Sequence, residues 1–352
     1  MPPQYKILKA RETDAAEILR LQYVAYQSEA ALYNDFSIQP LTQTLEQALD
    51  VFHGSVILKA VVDDKIIGSV RATEQDDGSI YIGKLMVLPD YQNKGIGKRL
   101  LQTIENEFPN RRYWLITGHK SEKNLNLYEK HGYSRFKTEE AAPGLTFVYL
   151  EKYDLRKFMR ETPYINFSEK NIQEKAAELF NGATDNIQKA RIAYTFVRDE
   201  IPHTFDVCAK AIAAKASDVL EYRTGICHAK AVLLAALLRS QGIPTGFCFQ
   251  HLTLMDDDSK GYCVHCYNAV WLEGHRVKLD ARGNKEGVNA QFSLEEPILA
   301  YPCRPQYEEY HWPGIYADPH LETMAMLEQA DSVEYIMENI PDRVTLPLDI
   351  EE

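Results

Sequence analysis

The sequence predicts two domains in tandem, the first α/β and the second α+β. Three observations carry this reading. A chain of 352 residues is too long for one ordinary hydrophobic core and comfortable for two. The first half reads as short strands broken by helical stretches, and one strand runs through a glycine-containing loop into an amphipathic helix. The second half turns helical, and all six cysteines (Cys208, Cys227, Cys248, Cys263, Cys266 and Cys303) lie beyond residue 200. Between Tyr153 and Phe167 the chain is charged, holds Pro163 and changes composition, which places the boundary near residue 155 and gives domains of 1–155 and 156–352.

A hydrophobic content of 45% and a charged content of 26% are those of a globular protein. The formal net charge of −12 argues against nucleic acid as a partner and does not favour an anionic membrane surface. The opening residues show no charged segment followed by an apolar core, and no apolar run reaches the length of a membrane span. Reduced thiols and a cytoplasmic location are therefore expected.

Taken in order, Tyr5 to Ala10 predicts a short strand. Thr13-Asp14 can cap a helix over Ala15 to Ala25, where Ile18, Leu19, Leu21 and Val24 recur at helical spacing. Tyr26 to Tyr33 and Thr42 to Val51 also read as helical. Strands follow at Val56 to Val62 and Ile66 to Thr73, and the Asp76-Asp77-Gly78-Ser79 turn leads into Ile80 to Leu88. Then comes Gln92-Asn93-Lys94-Gly95-Ile96-Gly97, with a helix from Lys98 to Phe108. A strand feeding a glycine loop and a helix N-terminus is an anion cradle, because successive N–H groups point at the ligand. The loop lacks the Lys-Ser/Thr ending of a P-loop and the G-x-G-x-x-G of a dinucleotide site.

This stretch resembles the acyl-CoA-binding motif Q/R-x-x-G-x-G/A of the GNAT acetyltransferase superfamily, and the flanks agree. Met86-Val87-Leu88-Pro89 resembles the strand that opens beside the pantetheine arm, and Asn124 to Tyr133 resembles the second family motif. The resemblance covers residues 4 to 152. It implies a mixed, mostly antiparallel sheet with flanking helices, acetyl-CoA or another acyl-CoA as cofactor, and an amine acceptor. It implies cofactor contacts from Met86, Val87, Gln92, Asn93, Lys94, Gly95, Ile96, Gly97 and Lys98. It also implies that Tyr128 protonates the departing thiolate, a task that suits a phenol neutral near pH 7. The family often has Asn about seven residues before that tyrosine; here the position is Ser121, with Asn124 nearby. Glu74, at the end of a strand, and Glu29, on a helical stretch, are the general-base candidates.

After the boundary, helices are expected over Glu169 to Phe180 and Asn186 to Ile201. Glu221-Tyr222-Arg223-Thr224-Gly225-Ile226-Cys227 then leads into an Ala/Leu-rich helix closed by Gly242 and Pro244. A cysteine in the first turn of a buried helix sits where N–H groups and the helix dipole favour a thiolate, and where the same groups can hold an oxyanion. A nucleophile needs a base and an orienting group. Tyr262 to Trp271 reads as a strand holding His265, and Arg276 to Gly283 holds Asp280. Adjacent antiparallel strands can set His265 and Asp280 side by side, so that the carboxylate fixes the imidazole tautomer.

Gly225-Ile226-Cys227, the Arg239-Ser-Gln-Gly-Ile-Pro ending, His265 and Leu279-Asp280 together resemble the transglutaminase-like superfamily of papain-type enzymes. The family's usual tryptophan after the histidine is Tyr267 here. The resemblance covers residues 165 to 345, and Gly314 to His320 with a helix over Leu321 to Asn339 resembles the C-terminal extension of bacterial members. It implies Cys227, His265 and Asp280 as a catalytic triad acting on an amide or peptide bond through a thioester, ending in hydrolysis or transamidation. Two alternatives stand beside it: a peptide-binding domain without catalysis, and acyl transfer of the arylamine N-acetyltransferase kind. No metal is expected. Cys263 and His265 fall on one strand face and Cys266 on the other, and no second pair stands at zinc spacing. His203, His251, His275 and His311 read as surface or core histidines, Gln250 and His251 as possible oxyanion-hole helpers, and Asp256-Asp257-Asp258 as a solvated turn.

Overall fold

The hairpin that begins the first sheet is set by two aspartates. In the computed structural model, which describes residues 4–109, 111–254, 261–273 and 275–345, Asp63 and Asp64 both take positive φ, 46° and 61°. Such a pair makes the tight two-residue turn whose twist suits flanking antiparallel strands. It joins β2 (Ser55–Val62) to β3 (Lys65–Glu74), after β1 (Lys6–Lys9) and the helices α1 (Ala15–Ala25), α2 (Gln27–Tyr33), α3 (Gln39–Thr42) and α4 (Leu45–Asp50). Then come β4 (Ile80–Val87), α5 (Ile96–Asn106), β5 (Tyr113–Gly118), α6 (Glu122–Glu129), β6 (Ser134–Ala142) and β7 (Leu145–Lys152). The chain divides into two compact units, Met1–Asp154 and Leu155–Glu352.

The seven strands of the first unit lie in the order β1-β2-β3-β4-β5-β7-β6. Every neighbouring pair is antiparallel except β4 with β5, which run parallel through only Ile80–Tyr113 and Tyr81–Trp114. Beyond that point β5 stays with β7 and β4 stays with β3, so the sheet opens between them. The final strand, β7, inserts between β5 and β6. Consecutive β3 residues serve opposite faces: Ile67 packs with Leu100, Leu101 and Ile104 of α5, and Ile66 with Ile18 and Leu21 of α1. Burying Leu100, Leu101 and Ile104 completely contributes about 1.5–3 kcal/mol each, which fixes where the N-terminus of α5 points.

The second unit holds α7 (Lys170–Leu179), α8 (Asn186–Glu200), α9 (Ala216–Tyr222), α10 (Cys227–Arg239), β8 (Thr245–Thr253), β9 (Tyr262–Leu272), β10 (His275–Leu279), β11 (Tyr310–His311), α11 (Leu321–Gln329) and α12 (Val333–Asn339). Its antiparallel sheet has the order β10-β9-β8-β11. All thirteen residues of α10 are buried, as its Ala/Leu-rich sequence requires. Its polar side chains are tied to carbonyls: Arg239 donates to the oxygens of Thr245 and Arg160, and Lys230 to those of Arg198 and Ile201. The single helix expected over Leu321 to Asn339 is two, because Ser332 caps a new start by accepting the N–H of Tyr335 at 3.2 Å. The acidic run Asp256-Asp257-Asp258 lies outside the described residues. Among those described, no helix is long and apolar enough to cross a membrane.

The turn before Cys227 does not use its glycine for the left-handed position. Arg223, with φ 57°, takes the left-handed position that ends α9. Gly225 is needed instead for close approach, since a Cβ there would stand 3.1 Å from the Cβ of Ala229. Gly225→Ala is expected to lower stability by about 1–3 kcal/mol in a denaturant titration, because the buried start of α10 cannot move aside.

Candidate active sites

In the first unit the site begins where β4 ends. Asn93 (φ 59°) and Gly95 (φ 82°) turn the chain so that Gly95 becomes the N-cap of α5. Among the described residues, the N–H groups of Asn93, Lys94, Gly95, Ile96, Gly97 and Lys98 find no protein acceptor. Six successive unpaired N–H groups at a helix start suit a multiply charged anion. A Cβ at Gly97 would meet only Val87 Cγ2 at 3.8 Å and Leu127 Cδ2 at 4.0 Å, so packing does not demand glycine there and the space faces outward. The residues therefore fit the pyrophosphate of a coenzyme A.

The side chains of this stretch divide their tasks. Ile96 is in the core. Gln92 Nε2 donates to the Val87 carbonyl at 3.0 Å, and Gln92 Oε1 accepts from Lys123 Nζ at 2.6 Å, which ties the loop to β4 and α6. Lys94 bonds the Asp90 carbonyl at 2.7 Å, and Lys98 is exposed. Met86 is buried against α1, while Val87 is half-buried beside the α5 core.

Ser121 and Asn124 are brought to one carboxylate. Both donate to Glu29, Ser121 through a short bond and Asn124 Nδ2 at 3.0 Å. Glu29 also acts electrostatically on Tyr128, Tyr26 and Tyr33. Tyr128 is buried and edge-on to Tyr133, and burial, with Glu29 and Tyr81 beside it, pushes its phenol well above the ordinary value. It keeps its proton through neutral pH. Glu74 is not brought to this cluster. It pairs with Ile80 at the closed end of the sheet, exposed and 3.4 Å from Arg111. It lies six positions along β3 from Gly68, which pairs with Val87, a run of roughly 20 Å.

In the second unit Cys227 is the first residue of α10 and His265 and Asp280 meet beside it. His265 Nε2 donates to Asp280 Oδ2 at 2.8 Å, with both groups buried. Asp280 is held by two further donors, the N–H of Arg282 at 3.1 Å and of Ala300 at 2.9 Å. With Nε2 engaged, Nδ1 is the ring nitrogen left for the thiol. Burial disfavours a charged His265, but Asp280 and then Cys227 outweigh it and raise the imidazolium to about 10. Burial likewise opposes a thiolate at Cys227, yet His228, His265 and His203 together hold the thiol well below its ordinary value. The pair thus rests as thiolate and imidazolium.

Two histidines here are not visible as site residues in the sequence. His228 Nδ1 lies 3.4 Å from the sulfur, and His203 Nε2 accepts the Cys227 N–H at 3.1 Å. His203 comes from a segment 24 residues upstream, docked by a bridge to Gly225. Gln250 is not free as an oxyanion donor: its amide donates to the Tyr301 carbonyl and to Cys303 Sγ. His251 is elsewhere, stacked between Tyr262 and Tyr310. All six cysteines are free thiols, and among the described residues no cluster of His, Cys, Asp or Glu is placed to hold a metal.

With this geometry in view, the acetyltransferase (GNAT) family matches residues 16–133 and the transglutaminase-like superfamily matches residues 173–281. The chain carries a GNAT acetyltransferase domain followed by a transglutaminase-like domain. Solved structures similar to it include the PaiA N-acetyltransferase of Thermoplasma acidophilum in complex with coenzyme A, 18% identical over 43% of this chain and 99% of that one, TM-score 0.36. YncA of Salmonella typhimurium with its cofactor acetyl-CoA is 15% identical over 43% and 94%, TM-score 0.36. An N-acetyltransferase of Staphylococcus aureus Mu50 is 17% identical over 43% and 98%, TM-score 0.36. No curated protein matches the chain.

The electrostatics of the cysteine site lead to a measurable profile. Alkylation of Cys227 by iodoacetamide is expected to stay near its plateau from about pH 8 down to about pH 6, where an ordinary thiol of pKa about 8.5 would have lost reactivity. His265→Gln removes one cation and is expected to move the midpoint upward. A wild-type profile with an ordinary thiol midpoint would overturn the ion-pair assignment.

Proposed function

We propose that the chain is a bifunctional acyl-transfer enzyme, an acyl-CoA-dependent N-acetyltransferase fused to a Cys-His-Asp enzyme acting on amide or peptide bonds. The first reading rests on the row of unpaired N–H groups from Asn93 to Lys98. Acetyl-CoA, or another acyl-CoA, would supply the acyl group there as a thioester. The cradle residues hold the pyrophosphate through backbone N–H groups, and the unpaired edge of β4 beyond Tyr81 offers a strand-like surface beside it. Glu29, fixed by Ser121 and Asn124, orients the acceptor amine and takes its proton directly or through water, in preference to Glu74, the other candidate for that role. Tyr128 holds its proton at Oη and is the group suited to deliver it to a departing thiolate.

The second reading rests on the 2.8 Å bond between His265 and Asp280 at the helix that begins with Cys227. The thiolate Sγ attacks the carbonyl carbon of an amide. His265 passes its Nδ1 proton to the leaving nitrogen as the C–N bond breaks, leaving a thioester on Cys227. Water or an amine then attacks that carbonyl, gives its proton back to His265, and releases Sγ. Free thiols and a buried thiolate accord with a reducing, cytoplasmic setting. The acceptor amine and the amide substrate are defined here only by these groups.

Each half has its own test. Gly97→Asp is expected to weaken coenzyme A binding by about tenfold or more by placing a carboxylate in the cradle. Its thermal stability should hold, since the nearest atoms stand 3.8 Å and 4.0 Å away. Tyr128→Phe is expected to lower kcat by about 10–100-fold with acetyl-CoA affinity kept. Cys227→Ala should abolish amide turnover and leave CoA release intact; loss of both would sink the idea of two separate sites.

A further inference from the structure

One imidazole beside the nucleophile has no part in the steps given to His265 and Asp280. His228 follows Cys227 in the first turn of α10 and is completely buried. Its Nδ1 lies 3.4 Å from Sγ. The ring is stacked with Phe249 of β8, 6.1 Å between centres and 20° between planes. Its Nε2 is buried and, among the described residues, has no hydrogen-bond partner.

A second ring is in the same position. His320, the N-cap residue of α11, is only 5% exposed. Its Nδ1 lies 2.8 Å from Oγ1 of the buried Thr323, and its Nε2 is buried without a partner among the described residues. The two rings are 6.2 Å apart between centres, and Phe249 packs against both. Buried polar atoms left unpaired are costly, and one water bonded to two of them satisfies both. Among the described residues no group of three His, Cys, Asp or Glu is placed to hold a metal there instead.

We infer that a water held between His228 Nε2 and His320 Nε2 keeps the His228 proton on Nδ1, and that this fixed N–H donates to Cys227 Sγ as the thioester breaks. The inference rests on the thioester reading for the reaction and on the contact with sulfur for the hydrogen bond. A neutral imidazole that accepts at Nε2 carries its proton at Nδ1. His265 remains the ring that transfers a proton. When water or an amine attacks the thioester, the electron pair of the C–S bond returns to sulfur, and the His228 N–H meets that charge without giving up its proton. Burial opposes a thiolate at Cys227, and His228 is foremost among the groups that favour it, followed by His265 and His203. Cys227 also acts on Arg282 and Cys266. His320 adds no competing charge, since burial, then His228, pulls it down to about 4 against the opposing pull of Glu322. A less basic thiolate attacks more slowly and leaves faster, so His228 serves release of the acyl group rather than its capture.

The test uses the full chain with iodoacetamide and p-nitrophenyl acetate. His228→Leu is expected to raise the pH midpoint of Cys227 alkylation by about one unit or more. With the ester, above that midpoint, the burst that forms the acyl-enzyme should keep its rate. The steady release that follows should slow about tenfold or more. His228→Asn, with an amide nitrogen near the place of Nδ1, should recover part of both. His320→Phe, which cannot hold the water, should follow His228→Leu in direction, with His320→Gln nearer the wild type. Melting curves identify any variant that does not fold. Nitrogen-15 spectra of the wild-type imidazoles then decide by themselves, with His228 protonated on Nδ1 and not on Nε2. Ester turnover unchanged in Cys227→Ala would sink the thioester reading, while a shifted alkylation midpoint would still uphold the hydrogen bond. An unshifted midpoint in His228→Leu, burst and release slowed equally, His320→Phe matching the wild type, or a His228 proton on Nε2 would overturn the proposal.

Discussion

A helix begins with backbone N–H groups that its own ladder cannot reach, and both halves of this chain are arranged around such a beginning. In the first unit the start of α5 is left open, and the glycine loop adds further N–H groups in front of it. In the second unit α10 starts with the thiol itself, and one of its N–H groups is capped by an imidazole. The packing behind each start is dense: α5 buries its leucines against β3, and α10 is buried on every side. Rigid burial behind and polar capacity in front let backbone atoms act as binding groups with little reorganisation.

The two starts handle charge differently. The first offers partial positive charge from N–H groups that, among the described residues, have no protein acceptor. The second carries its own anion, with His265 as the cation beside it and Asp280 anchoring that imidazole. His203 accepts the Cys227 N–H, so in the resting state that N–H is not available to an oxyanion. A carbonyl oxygen seeking it must displace a neutral imidazole, a weaker competitor than a carboxylate would be.

Much of this was legible in the sequence, because chemistry-bearing residues stood at places where local pattern fixes geometry. Cys227 followed a turn and opened an apolar helix, and His265 fell on a strand with Asp280 directly after the end of the next one. The Gln92-to-Lys98 loop stood between a strand and an amphipathic helix. What was not legible depended on contacts far apart in sequence. Glu29 meets Ser121 and Asn124 over 92 and 95 residues, and no periodicity announces that. Glu74 ended a strand, as expected, but pattern alone does not say which end of a sheet opens. The register shift by which Ser69 pairs with Met86 but Arg71 with Gly83 was equally hidden, since Lys84, at positive φ within it, has no sequence signature, unlike the glycine at 95.

The insertion of β7 between β5 and β6 has a consequence for how the first unit comes into being. β5 has six partners along β7, from Tyr113 with Lys152 to Gly118 with Phe147, but only two along β4. Among the described residues, β6 has no strand neighbour other than β7. Until residues 145–152 have left the ribosome, β5 has nothing to hold it away from β4, and β6 has no place in the sheet. The opening between β4 and β5 is therefore propped apart by the last strand of the first unit, and a first unit shortened by that one strand would lose this opening while keeping every residue of β4 and α5 beside it.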